Sequence, residues 1–393
     1  MRDKKAFFIG LSAGLLAMAV FFFCFGLVSR RVTWSDEKAP DDKVREVLTL
    51  LDKYSINEYE REELMDSMYR GLLDGVGDPY THYFDEEAFV AFTEQTEGVY
   101  AGLGMVVTGD AADGIVTIVS VYPSAPAGRA GLQPGDKIMA VDGTDVTSYK
   151  LEEVTSKTKG RPGTKVTLTI YRPADDYPFD VPVMREMISI PTVSHKMFDG
   201  NIGYIRIEQF ERVTLNQFTE AYQDLTAREM KALIIDVRNN PGGLLDTVTQ
   251  IADVLLPNGV VTYTEDKNGA KKYYRSEESH AEVPIAVLTN GGSASASEVL
   301  CGAVRDMGMG VLVGTKTFGK GIVQNLYMLS DGSAIKVTVA KYYTPNGVCI
   351  QGEGLIPDYV VEVDKETALR SGALSPDEDM QLQKAMEVLR QKL

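Results

Sequence analysis

Three short motifs carry residue types that could do chemistry. In the first, Gly292-Ser293-Ala294-Ser295-Ala296-Ser297-Glu298 follows the apolar run 285–289 and leads into a helical pattern of Val299, Leu300, Ala303 and Val304. A serine at that junction sits where unpaired backbone N–H groups and the positive end of a helix dipole converge. Such a setting favours a serine nucleophile and a developing oxyanion. A plainer reading is open as well, because Ser295-x-x-Glu298 fits a capping box whose serine only begins the helix. The second motif is Thr317-Phe318-Gly319-Lys320-Gly321-Ile322-Val323-Gln324. The flanking glycines let backbone approach Lys320 closely. Burial would favour its neutral amine, a general base toward a hydroxyl, whereas exposure would leave a solvated loop lysine. The third motif, Ile234-Ile235-Asp236-Val237-Arg238-Asn239-Asn240-Pro241-Gly242-Gly243-Leu244, reads as a buried strand, a polar turn and the start of a helix. The N–H groups of Gly242 and Gly243 could donate to an oxyanion. Pro-Gly punctuation is equally the mark of an ordinary turn.

Other chemistries fit less well. The stretch 314–320 has G-x-x-x-x-G-K spacing, and Leu233-Ile234-Ile235-Asp236 looks like a Walker B strand. Yet Gly321 stands where the magnesium-binding Ser or Thr belongs, and a strand-like run follows where a helix is required. No G-x-S-x-G elbow surrounds Ser295. His82, His195 and His280 are scattered, and no H-E-x-x-H ligand pattern exists. No metal, nucleotide or other cofactor is expected. The cysteines, Cys24, Cys301 and Cys349, are too few for a disulfide scaffold.

The elements that would position these motifs come from composition and periodicity. A chain of 393 residues suggests two or three domains. With 40 basic and 56 acidic residues its net charge is −16, which repels phosphate backbones and argues against nucleic acid as a partner. Residues 6–28 carry no charge and include Phe21-Phe22-Phe23 and Leu27-Val28, with basic residues on both flanks. As a helix they would span about 34 Å, enough for a hydrocarbon core of roughly 30 Å. The run exceeds a signal-peptide core, and Gly26-Leu27-Val28-Ser29-Arg30 offers no A-x-A-like cleavage site, so an uncleaved single-pass anchor is expected. Its flanking charges nearly balance, and orientation rests on the tendency of long domains to translocate. Residues 1–5 then form a cytoplasmic stub and the bulk of the chain lies outside the cytoplasm.

Residues 29–42 read as a linker and 43–97 as helical, interrupted by the turn cluster Gly75-Val76-Gly77-Asp78-Pro79-Tyr80. Short β-like runs at 104–107, 115–121, 137–141 and 165–171 make a small mixed domain over 98–183. From 184 to 375, strands at 202–209, 232–237, 285–289, 310–313, 322–328 and 334–343 alternate with helices at 215–229, 244–255 and 295–307. This alternation predicts an α/β core. A final helix, 376–393, carries Leu382, Ala385, Met386 and Leu389 on one stripe.

Taken together, residues 236–243, 290–298 and 317–324, with Tyr343-Thr344-Pro345-Asn346-Gly347 and Gly354-Leu355-Ile356-Pro357-Asp358, resemble the C-terminal processing (tail-specific) serine peptidases. The motifs occur in that family's order and the resemblance runs from about residue 41 to the end. It implies a Ser/Lys pair, with Ser295, the middle serine, as nucleophile and Lys320 as general base. Gln324 matches the glutamine that orients the lysine. The N–H groups of Ala296 and of the Gly242-Gly243 turn would form the oxyanion hole. Residues 98–182 resemble the PDZ domain inserted in this family. Gly102-Leu103-Gly104-Met105 fits its carboxylate-binding loop, with a strand edge free to pair with an incoming peptide.

The resemblance therefore implies an α/β peptidase core with an inserted PDZ domain, a helical N-terminal segment and an N-terminal transmembrane helix. Such a protein would cleave protein or peptide substrates near accessible C-terminal tails outside a bacterial cytoplasm, with the PDZ domain gating the site. The terminal helical regions would either join a homodimer or pack on their own core. The non-enzymatic alternative is a membrane-tethered PDZ scaffold that binds tails without cutting them.

Overall fold

The computed structural model describes residues 40–393 apart from 111–112, 176, 278–280 and 373. The expected stub (1–5), the anchor (6–28) and most of the linker lie outside the described residues. Among the described residues no helix is long and apolar enough to cross a membrane.

Through Met68 the chain forms a unit of its own. It holds the helix Pro40–Tyr54 and the beginning of the helix Arg61–Asp74. The first helix begins inside the stretch read as linker. Proline at a first helical position forfeits no hydrogen bond, and Asp41 and Asp42 complement the dipole. Asp52 accepts from Arg61 at 2.9 Å and from the Tyr59 hydroxyl.

The second unit, from Tyr69 onward, is built on a six-stranded sheet. Its strands, in spatial order, are Val193–Phe198, Ile202–Ile207, Ala232–Asp236, Ile285–Thr289, Gly310–Gly314 and Tyr359–Val360. The first pair is antiparallel and the rest are parallel. Both faces are covered, as the continuous apolar runs require. Leu233, Ile235 and Val287 face the helices Thr214–Ala227, Leu245–Leu255 and Ala296–Asp306. Ile234, Ala286 and Leu288 alternate to the other face and meet the C-terminal helix Met380–Arg390. Leu382, Ala385, Met386 and Leu389 are thereby buried against this chain's own sheet, and a dimer contact through that stripe is replaced by intramolecular packing.

A second, antiparallel sheet lies beside the core. Its strand Ala334–Tyr343 pairs with Ile322–Met328, Gly259–Asp266 and His82–Phe84, and Gly259–Asp266 pairs with Lys271–Ser276. The segment 43–97 is therefore not helical throughout. Three of its residues join the core, with His82 opposite Lys336 and Phe84 opposite Ala334.

The small domain is a sheet ordered Met105–Gly109, Val116–Val121, Lys137–Val141, Lys165–Tyr171 and Phe179–Met184, closed over Ile118, Ile138, Val154, Leu168 and Ile170. Its two connections to the core run side by side as the antiparallel pair Val99–Gly102 and Glu186–Ser189.

Candidate active site

The turn 290–295 carries its helix by an arrangement that separates three similar serines. Ser293 donates to the Val237 carbonyl at 2.8 Å and Ser297 to the Asn240 carbonyl at 2.9 Å, and both are fully buried. Those hydroxyls fasten the turn to the neighbouring strand end. Ser295, between them, lines a cleft instead. Its backbone sits at φ 54°, ψ −115°, a left-handed conformation unusual for a residue with a Cβ, at the point where the helix Ala296–Asp306 begins.

Glu298 does more than cap this helix. Its buried carboxylate accepts from the Ser295 N–H at 2.9 Å, the Thr317 hydroxyl at 2.5 Å, and the N–H groups of Gly319 at 2.8 Å and Lys320 at 2.9 Å. One anion thus ties the serine turn to the lysine loop. Charge-assisted hydrogen bonds of this kind are about twice as strong as neutral ones. The buried Tyr342 hydroxyl adds a second tie, lying 2.9 Å from the Ser295 carbonyl oxygen and 2.5 Å from that of Lys320.

Lys320 is half-buried and lines the same cleft. Burial holds its amine below the ordinary lysine range, and the charge of Asp78 opposes that effect. The Nζ atom sits 4.7 Å from the centre of the Tyr80 ring. Gln324, also in the cleft wall, donates to the Tyr80 carbonyl. The turn at 78–80, which the sequence marked only as a break between helices, therefore flanks the lysine and holds the glutamine.

The Gly242-Gly243 turn closes the cleft beside Ser295. A Cβ on Gly242 would lie 2.8 Å from both the Ser295 Cβ and the Ala294 oxygen, and one on Gly243 only 2.2 Å from the Phe210 oxygen. With φ of 108° and 143°, both positions need glycine. The Gly242 N–H is already committed to the Asn240 side-chain oxygen at 2.8 Å. Of the expected oxyanion donors, Gly243 and Ala296 line the cleft, and Gly242 supplies the room. Asp236 and Arg238, in the same motif, turn away from the cleft into a buried charge network with Asp379.

Two further cleft residues carried no sequence signal. Glu211 is buried, its Oε2 has no hydrogen-bond partner, and desolvation pushes its carboxyl up to about 7. Lys336 lies in the wall formed by the strand Ala334–Tyr343. His82 and His195 are not among the cleft residues; His195 faces Asp224 at 3.1 Å. Among the described residues no group of three or more His, Cys, Asp or Glu side chains is placed to hold a metal ion.

Comparison with known proteins places this site in a family. Residues 201–361 match the profile of peptidase family S41 and residues 117–172 that of a PDZ domain. A carboxy-terminal-processing protease of Bartonella bacilliformis is 36% identical over 308 residues, 77% of this chain and 70% of its own. The chain belongs to peptidase family S41. Its S41 portion spans the whole cleft motif set, from the glycine turn to Gly354-Leu355-Ile356-Pro357-Asp358. Bacillus subtilis CtpA, a carboxy-terminal processing protease, is 33% identical over 368 residues, covering 92% of this S41 chain and 78% of that protein. A candidate S41 protease of Bacteroides fragilis, at 18% identity and TM-score 0.51, covers 91% of this chain and 99% of its own and speaks for the fold alone.

The expected carboxylate-binding loop, 102–105, precedes the residues matched to a PDZ domain and lies between the strands Val99–Gly102 and Met105–Gly109, the second of which joins the small domain's sheet. Leu103 is buried and its carbonyl accepts from Ala127 N–H. Gly104 has φ 75°, and a Cβ there would meet the Ala125 Cβ at 2.2 Å. Tyr100 packs its ring against Gly102. Met105–Gly109 is an edge strand of its sheet, and the helix Leu151–Thr158 packs beside it.

Proposed function

We propose that this S41 chain is a Ser/Lys endopeptidase that cleaves proteins near their C-terminal tails. The observation that carries the reading is the shared clamp: the carboxylate of Glu298 fastens both the Ser295 turn and the Lys320 loop at the edge of one cleft. Neutral Lys320 Nζ takes the Ser295 hydroxyl proton as Oγ attacks the scissile carbonyl carbon. The negative charge that develops on the carbonyl oxygen is received by the N–H groups of Gly243 and Ala296. The Lys320 ammonium then gives its proton to the departing amine. Water, deprotonated by the same lysine, releases the acyl group and restores Ser295. Gln324 acts indirectly, fixing the Tyr80 segment against which the lysine rests.

Tail recognition belongs to the PDZ portion, where a peptide would add along the edge strand Met105–Gly109 with its carboxylate at 102–105. A bound tail shifts the peptidase toward its active arrangement only if it binds that arrangement more tightly. Anchoring by residues 6–28, with the bulk of the chain outside the cytoplasm, completes the proposal. Self-association through the N-terminal helices is measured by light scattering on a fragment lacking 1–39.

The test is incubation of the wild type and of Ser295→Ala with an unfolded protein, with the fragments identified by mass spectrometry. The wild type should release C-terminal fragments and the variant none. Equal proteolysis by folded Ser295→Ala would overturn Ser295 as the nucleophile, and a folded wild type that cuts nothing would leave the tail-binding scaffold as the reading.

A further inference from the structure

The cleft holds a second lysine that the reaction above does not use. Lys336 sits on the strand Ala334–Tyr343, opposite Leu326 on one side and His82 on the other. Its Nζ lies 5.1 Å from the centre of the Phe92 ring and 5.4 Å from that of Phe84. The two rings are themselves 5.0 Å apart and form an aromatic platform that holds the ammonium at the cleft wall.

What Lys336 lacks is an anion. Lys137 pairs with Asp110 and Asp113 at 2.8 and 2.6 Å, and Lys159 pairs with Glu94 at 2.7 Å. Among the described residues no carboxylate lies within pairing distance of Lys336. The neighbouring charge that acts on it is that of Lys320, of like sign, and together with burial this disfavours its ammonium. Glu211, the acid in the cleft wall, forms no ion pair and is close to half-protonated at neutral pH. On a chain of net charge −16, the cleft therefore brings two lysines together with no ion pair to either among the described residues. A half-buried cation without a partner is costly, and a bound anion relieves that cost.

We propose that Lys336 is an anion-binding position of the substrate cleft, receiving a carboxylate of the polypeptide being cut. This rests on the peptidase reading, because the anions an unmodified polypeptide carries are carboxylates. The group comes either from the free C-terminus of a short tail or from an Asp or Glu side chain near the scissile bond. A terminal carboxylate held here would be read in the cleft itself, separately from any held by the PDZ loop.

Two pairs of peptide substrates test this with the full-length enzyme. One pair differs only in a free carboxylate against a C-terminal amide. The other differs only in Glu against Gln beside the cut. Values of kcat/KM are compared for wild type, Lys336→Arg and Lys336→Met, with Lys336→Gln repeating the measurement should the Met variant fail to fold. The wild type should favour the carboxylate member of one pair by about tenfold, the selectivity of one charge-assisted contact. Lys336→Met should erase that ratio and Lys336→Arg should retain it, and the pair that responds identifies the source of the carboxylate. A ratio that survives in Lys336→Met overturns the proposal, since the carboxylate is then read elsewhere. So does the absence of any preference in the wild type, or an equal slowing of all four peptides with a shifted pH profile, which would make Lys336 a modulator of Lys320. A wild type that cuts neither these peptides nor an unfolded protein would instead sink the peptidase reading itself.

Discussion

Lys320 is pulled two ways, and the balance sets the pH at which the site works. Burial favours the neutral amine that can accept a proton, while the Asp78 charge and the face of Tyr80 favour the ammonium. Asp78 is itself kept ionised against desolvation by hydrogen bonds from Thr81 and the Tyr80 N–H. On the proposed mechanism only the neutral lysine is the base, so kcat/KM should rise with pH along a limb set by Lys320. Asp78→Asn keeps the shape of the carboxyl and removes its charge, so that limb should move to lower pH. A pH–rate profile measures this, and a limb that stays put or moves up contradicts it. Glu298 gives a second prediction. Glu298→Gln places amide donors against the N–H groups its carboxylate now accepts, which should destabilise the fold by about 1.5–3 kcal/mol. It should lower kcat/KM by at least about tenfold, read from denaturant midpoints and from turnover of the same preparation. Both residues were visible in the sequence with the wrong weight. Glu298 was legible as a helix cap and Asp78 as part of a turn, because local spacing reports bonds within a few residues. The partners that give them their roles lie 19 to 22 residues away for Glu298 and some 240 residues away, between Tyr80 and Gln324, for the turn.

Elements place these residues through their ends, and the glycine turn is the clearest case. Gly242 lets the turn approach Ser295 so closely that a methyl group cannot be inserted without moving the Ala294 carbonyl or the Ser295 Cβ. Gly242→Ala should therefore lower kcat by about a hundredfold, the scale of losing one oxyanion donor, with little change in KM. Steady-state kinetics on folded protein checks it, and near-normal kcat would show that the turn does not set the oxyanion geometry. The strands of the central sheet were legible because both faces are buried, which writes them as short apolar runs such as Ala232–Asp236 and Ile285–Thr289. His82–Phe84 was not legible. Three residues are too few for a period, and its identity as a strand comes from Ala334–Tyr343 across the sheet. The hairpin Gly259–Asp266 and Lys271–Ser276 carried a usable signal, β-branched and aromatic residues around Asn268-Gly269, that the apolar-run criterion passed over because much of it is solvent-facing.

Across the molecule, a buried charge network binds the C-terminal helix to the strand end that leads into the glycine turn. Arg238 donates to Asp236 at 2.6 Å and to Asp379 at 2.7 Å, and Tyr204 donates to Asp236 at 2.7 Å. Asp379 also caps the C-terminal helix by accepting the Leu382 N–H. Arg238 lies two residues before Asn240, whose side chain fixes Gly242, so the packing of the last helix and the shape of the glycine turn share one set of contacts. Removing the cation should leave Asp379 without its ion-pair partner and Asp236 with Arg206 alone, at 3.3 Å, and Arg238→Met should lose about 3–5 kcal/mol of stability at neutral pH. The dependence on pH follows from the sign of the Asp236 shift. Burial alone would raise its carboxyl, but Arg238 overrides this and holds it below the ordinary range. A depressed carboxyl contributes stability that is complete above its unfolded value near 4 and drains away as pH falls through the folded one. The wild type should accordingly weaken in acid. In Arg238→Met the Asp236 carboxyl loses the larger of its two counter-charges, Arg206 remaining, and rises, so acid neutralises charge left poorly compensated. The gap between the two proteins' urea midpoints should be widest at neutral pH and narrow as the solution is acidified. A gap that stays constant from neutral to acid would mean that Arg238 acts by packing and not by charge.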